Sequence, residues 1–222
     1  GIDMNSDPAN VPAKHLLAHA ARERVAIKSA GLNHFIWLLD IRDKATGEDL
    51  YPLLRDSLAD APETLDPFSM ELFRVFGYLP IPGDTHLVEY LHLAHDPVAK
   101  PWQRYNIPLY AWGDNEAARD YLHGMLQRMA DGEMPVAGLR DAPSEGAAEL
   151  IAAIAGDENY YDETVNIPNN GAIANLPDET IVEVPALVNG LGIQGVTLGE
   201  LPFPIASLLR READLVEMVA DT

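Results

Sequence analysis

Three polar clusters in this 222-residue chain carry side chains able to do chemistry. Asn33 and His34 stand at the mouth of the run Phe35–Ile41, where an amide and an imidazole open a stretch that would otherwise bury cleanly. An imidazole there is either a ligand or proton carrier facing a cleft, or a strand-end histidine bonded to backbone. The segment GDTHLVEY, residues 83–90, packs Asp84, His86, Glu89 and Tyr90 into one turn entering a helix. Two readings are open: Asp84 and the His86 ring point into one space, or Asp84 caps the helix with His86 merely beside it. In NIPNNGAIANLP, residues 166–177, Asn166, Asn169, Asn170 and Asn175 fall close together. Amides suit sugar hydroxyls, but asparagine is equally a loop residue that makes its own local turns. His92 and His95 have i, i+3 spacing but no evident third metal ligand, and His15, His19 and His123 read as surface or core histidines.

One motif is a decoy. GLGIQG, residues 190–195, matches the dinucleotide pattern G-x-G-x-x-G. That fingerprint works only between a strand and a helix whose N-terminus receives the pyrophosphate. Here the extended, proline-closed VTLGELPFP follows, so a turn is expected.

The elements that must position these residues mix helix and strand. Residues 12–24, 46–60, 69–79, 86–96, 114–132, 144–157 and 205–222 have helical spacing or caps: Asp114 and Ser144 as N-caps, Gly77 and Gly132 as terminators. Residues 24–43 read as two strand segments broken at Gly31, residues 97–113 as loop, and 163–188 as short strands with tight loops. Segregated rather than alternating elements favour an α+β fold, and the length suits one large domain or two small ones.

Composition narrows the function. Acidic residues outnumber basic ones 35 to 15, giving a net charge of −20 spread along the chain. Such a field repels phosphate backbones and anionic lipid, which argues against nucleic acid and membrane partners. No apolar run approaches a membrane span and no basic-then-apolar segment opens the chain. The absence of cysteine excludes disulfides, thiolate ligands and a Cys nucleophile, and fits a cytoplasmic location.

In order, AGLNHFIWLLDIRDKATGEDLYPLLR, FGYLPIPGDTHLVEY and NIPNNGAIANLPDETIVEVPALV…GELP resemble glycoside hydrolase family 4, over roughly residues 25–218. The resemblance implies a single C-terminal, substrate-side domain, residues 1–222, similar to the C-terminal half of lactate and malate dehydrogenases, in an α+β fold. It implies hydrolysis of an α-linked glycoside by redox-assisted elimination: NAD takes hydride from C3 of the sugar, a divalent metal, usually manganese (Mn2+), polarises the ketone, and a base removes the C2 proton. On the family pattern His34 is a metal ligand. Asn33 holds a sugar hydroxyl or the metal-bound oxygen. Asp84, with His86 as neighbour, is the candidate general base and Tyr90 the next in line. Asn166 and Asn169 or Asn170 are substrate-side amides.

Two departures from the pattern stand out. The family's Cys-Asn-x-Pro metal segment corresponds to MNSDP, residues 4–8, where Asn5 occupies the Cys position and Asp7 offers an oxygen donor of the kind manganese prefers. The family's nucleotide-binding half is not in the sequence, so NAD is expected only with the intact enzyme, and an exposed apolar face is expected to drive homo-oligomerisation. Two rival readings are a non-catalytic carbohydrate-binding or oligomerisation remnant, and a dehydrogenase substrate domain acting on sugar acids without metal.

Overall fold

The computed structural model describes residues 24–108, 112–139 and 146–220. The helix expected over 12–24 lies almost wholly outside the described residues, as do Asp7, His15, His19 and Ser144. The architecture is α+β, with an antiparallel sheet at its centre. Its strands are β1 (Val25–Leu32), β2 (Phe35–Asp43), β3 (Leu79–Pro80), β4 (Tyr160–Pro168), β5 (Ile181–Asn189) and β6 (Gly192–Gly195). They lie in the order β3-β2-β1-β5-β4, with β6 also paired to β5. The helices are α1 (Tyr51–Asp60), α2 (Pro67–Phe76), α3 (Asp84–Tyr90), α4 (Pro101–Arg104), α5 (Trp112–Ala130), α6 (Ala147–Gly156) and α7 (Phe203–Ala220). No described helix is long and apolar enough to cross a membrane.

The apolar run of β2 makes sense once both faces of the sheet are covered. Successive strand residues point to opposite faces. Phe35 and Trp37 therefore enter one core, with Ala30, Leu32, Val182, Val184, Ile205 and Leu209. Ile36 and Leu38 enter the other, with Leu54, Leu58, Met70, Phe73 and Leu79. The β1–β2 register skips Leu39, so the bulge flips the alternation and Ile41 rejoins the face of Ile36 and Leu38. Each such fully buried side chain stabilises the fold by about 1.5–3 kcal/mol. Tyr51 ties α1 to the sheet: its hydroxyl donates to the Leu38 carbonyl at 2.8 Å and accepts the Leu79 N–H at 2.9 Å.

Several boundaries differ from expectation for local reasons. The strands break at Asn33–His34, not at Gly31, which sits inside β1 opposite Ile36. A Cβ on Gly31 would run into the Phe35 carbonyl and the Ile36 Cα, so this glycine serves close backbone approach rather than a turn. The helix expected from Thr46 starts only at Tyr51, because Asp43 Oδ1 takes the N–H groups of Ala45 and Thr46 and Gly47 adopts φ 74°. The helix expected over 86–96 runs from Asp84 to Tyr90 and continues as a 3-10 turn over His92–His95. The expected loop 97–113 contains α4 and the first residues of α5. Gly77 ends α2 as expected, with φ 74° and its N–H on the Phe73 carbonyl at 2.8 Å.

Candidate functional site

The β1–β2 connection is a two-residue turn, closed by the Leu32–Phe35 pair. Tight hairpin turns call for a left-handed residue, usually Gly or Asn. Here that residue is His34, with φ 58°. A non-glycine residue in that region costs about 1–2 kcal/mol, which its surroundings must offset. The Asn33–His34 turn is held from both faces of the sheet.

From the face carrying Phe35 comes α3. His86 and Tyr90 are four residues apart and so share one side of that helix. The Tyr90 ring stacks on Phe35 with centroids 4.9 Å apart, and its hydroxyl donates to the Asn33 carbonyl at 2.6 Å. The His86 ring meets His34 edge-on, with centroids 4.4 Å apart. His86 Nδ1 is buried without a hydrogen-bond partner, and its nearest anion is Glu89 at 3.9 Å. Burial, then Glu89, Glu183 and Glu212, push the Tyr90 hydroxyl above its ordinary pKa.

On the other face lie side chains of the neighbouring strands β5 and β4. Asn166, Glu183 and Gly31 lie opposite one another across three strands. Asn166 Nδ2 donates to Asn33 Oδ1 at 3.3 Å. Glu183 is only 9% exposed, and the nearby backbone N–H of His34 favours its charged form. Burial pushes Glu183 up to about 7, against the pull of that N–H. An acid whose pKa rises on folding favours the folded state most when protonated. Its contribution is therefore full below about pH 4.5 and is lost as the pH climbs through about 7. The wild type is expected to lose up to about 3 kcal/mol relative to Glu183→Gln between pH 4.5 and 8. Urea denaturation of both proteins at the two pH values checks this; parallel changes would refute it.

The remaining predicted site residues are put to other uses. Asp84 was the expected general base, but its carboxylate is 6% exposed and fully engaged. Oδ2 accepts the Phe68 N–H at 2.8 Å, and Oδ1 accepts the Ser69 N–H and hydroxyl, each at 2.7 Å. Two residues along a helix is about 200°, so Asp84 and His86 point to opposite sides of α3. Asp84 caps the first turn of α2, and Asp66 returns the favour by accepting the Asp84 N–H at 3.2 Å. Burial raises the Asp84 pKa, opposed by the Ser69 and Phe68 donors.

Asn169 is 1% exposed and internal. Its Nδ2 serves the carbonyls of Ile173, Leu176 and Pro177, and its Oδ1 accepts the Ile173 N–H at 2.7 Å. It braces the loop from within. Asn170, left-handed with φ 43°, is exposed beside Gln194 and Thr197 in a shallow depression, away from the hairpin contacts above. Arg211 contacts His92 at 2.9 Å and His95 Nε2 contacts the Val88 carbonyl at 2.6 Å, so neither imidazole is set toward the other. Gly190–Gly195 forms the β5–β6 hairpin, not a strand-to-helix loop. Glu183 is the residue that sequence reasoning passed over. Its signal was a lone carboxylate inside the apolar strand IVEVPALV.

No group of three or more His, Asp or Glu side chains among the described residues is placed to hold a metal ion. What they do offer is two imidazoles in contact, one with an orphaned buried nitrogen. That fits the nitrogen share of a divalent site, with oxygen donors to be supplied from elsewhere.

The chain is similar to several known proteins. The α-galacturonidase of Bacillus subtilis is 26% identical over 216 residues, covering 90% of this chain and 47% of that protein. The solved structure of Bacillus subtilis lplD superposes with a TM-score of 0.77 at 26% identity, over 96% of this chain and 51% of that one. A 6-phospho-α-glucosidase from gut microorganisms, in complex with NAD and Mn2+, shares the fold with a TM-score of 0.67 at 22% identity, over 97% and 50% of the two chains. The chain thus spans about half the length of the relatives it matches. The model of the family 4 glycosyl hydrolase C-terminal domain matches residues 29–222. By that match the chain belongs to glycosyl hydrolase family 4, as its C-terminal domain.

Proposed function

We propose that this chain is the substrate- and metal-facing domain of a glycosidase that cleaves an α-linked glycoside. The observation that carries the reading is the His34 ring, set on a left-handed turn against His86 and flanked by Asn33, Asn166 and Tyr90. Relatives of the chain act on α-linked sugars, as the name of the α-galacturonidase states. His34 and His86 would hold a divalent ion such as Mn2+, whose chemistry when bound is Lewis-acid polarisation of a sugar oxygen. The carboxylates around Tyr90 give the site the negative potential that a cation favours.

The chain's own residues divide the remaining tasks. Asn33 and Asn166 present amide groups at the exposed edge of the turn, suited to sugar hydroxyls. Tyr90 replaces Asp84 as the group assigned to proton handling. Its hydroxyl hydrogen lies on the Asn33 carbonyl, beside the imidazoles, whereas both Asp84 oxygens are spent on α2. Redox-assisted elimination would draw its nicotinamide cofactor from outside the described residues, since the Gly190–Gly195 hairpin does not fit a dinucleotide.

Mn2+ is paramagnetic, so its placement can be read directly. At substoichiometric Mn2+, the imidazole signals of His34 and His86 are expected to broaden before those of His92, His95 and His123. His34→Ala is expected to weaken Mn2+ binding about 10-fold or more. Uniform broadening of all the histidines, with unchanged affinity in the variant, would remove the metal from this turn.

A further inference from the structure

We infer that the depression between the end of β4 and β6 is a further saccharide site, built to take the pyranose ring of a neutral sugar. It is separate from the Asn33–His34 turn and does not rest on the metal-facing reading above.

Two stretches that the turn leaves unused meet there: Asn170, from the asparagine cluster, and Ile193–Gly195, from the sequence that mimics a dinucleotide loop. The depression has a volume of about 540 Å³, within the range of small-molecule sites. Ile167, Ala172 and Ile193 give it apolar walls, and Asn170, Gln194 and Thr197 bring polar groups to it. Asn166 precedes Ile167, but successive strand residues point to opposite faces, so the amide that meets Asn33 lies on the other side of β4. Glycine at position 195 keeps the floor in place, because a Cβ there would come within 2.6 Å of Ile167 Cδ1.

The polar groups are set in advance. Thr197 stands between Val196, whose N–H donates to the Pro185 carbonyl at 2.8 Å, and Leu198, whose N–H donates to the Ala172 carbonyl at 2.7 Å. Gln194 Nε2 donates to Asn189 Oδ1 at 3.1 Å, which leaves its Oε1 as an acceptor. Asn170, left-handed with φ 43°, gives its backbone N–H to the Asp178 carbonyl at 3.1 Å, while its side-chain amide bonds to no described residue. Groups held in this way lower the cost of binding. Charge decides the class of ligand. In a chain of 35 acidic and 15 basic residues, none of the described residues that line the depression is ionisable. The lining therefore neither neutralises an anion nor draws a cation. Its amides and hydroxyl both donate and accept, as sugar hydroxyls do, and its apolar walls suit the C–H face of a pyranose ring.

The test titrates methyl α-D-glucopyranoside and methyl α-D-galactopyranoside into the full chain and follows the backbone amides by 1H–15N NMR. Saturable shifts are expected at Asn170, Gln194 and Thr197, with a Kd in the millimolar range for so open a site. Galacturonate should shift them less, because the chain's net charge of −20 repels it. Asn170→Gly keeps the left-handed backbone and Thr197→Val the side-chain shape, so both should melt near the wild-type temperature. Each is expected to weaken sugar binding about 5–10-fold, the loss of one hydrogen bond. His34→Ala should leave these shifts unchanged, which separates this site from the one at the turn. Absence of saturable shifts at the three amides, or equal affinity in the wild type and both variants, would overturn the inference. So would shifts of the same amides on raising the protein concentration without sugar, which would make the depression a contact between copies of the chain.

Discussion

Replacing Asp84 with alanine is expected to lower the melting temperature by about 5–15 °C, with Mn2+ binding of the protein that remains folded little changed. The variant leaves the N–H groups of Phe68 and Ser69, and the Ser69 hydroxyl, without their buried acceptor. Losing a cap and stranding buried donors together cost about 2–4 kcal/mol. For a chain of this length each kcal/mol moves the midpoint by about 2–4 °C. Asp84→Asn should fare little better, because an amide turned to accept at Oδ1 presents its own NH2 to the Phe68 N–H. Differential scanning calorimetry of both variants checks the expectation. A fully stable Asp84→Asn protein would return Asp84 to the list of candidate bases.

The second large effect belongs to Gly31. Gly31→Ala is expected to destabilise the fold by about 3 kcal/mol, the upper part of the range for overpacking, because the new Cβ meets backbone rather than a side chain that can turn away. With a urea slope of about 2–3 kcal/mol per molar, the unfolding midpoint falls by about 1–1.5 M. Gly47→Ala makes the contrast. Nothing lies within reach of a Cβ there, and its φ of 74° is the only obstacle, so a loss of about 1 kcal/mol is expected. Equal losses in the two variants would mean that β1 and β2 can separate at Gly31 without penalty.

Those two residues also mark how much the sequence disclosed. Periodicity and punctuation located most of the elements, because Gly77, the alternating strands and the amphipathic C-terminal helix act through nearest neighbours along the chain. The Asn33–His34 pair stood out for a local reason as well: polar residues inside an apolar run need a cause. Gly31 misled because glycine breaks strands and also permits close backbone approach, and the choice between these depends on the partner strand. Asp84 misled because its place at a helix start suggested a cap or a base for its own segment, whereas the helix it caps is another one, 15 residues earlier. Asn169 looked like its neighbours until its four hydrogen bonds, to Ile173, Leu176 and Pro177, were known. Glu183 was the least legible. Its place beside Gly31 depends on the pairing of β5 with β1, and nothing in IVEVPALV encodes that pairing.

The Asn33–His34 turn also carries a consequence for the order of events in folding. Its hairpin is local, and such hairpins close in about 1–10 μs. The Tyr90 hydrogen bond spans 57 positions and the Asn166 bond spans 133, so both await long-range chain closure. During refolding the turn is thus bent early and gripped late. Signals of the β1–β2 hairpin should return first and the His34–His86 contact among the last, so the arrangement around the turn is a late property of the chain and an early loss on unfolding.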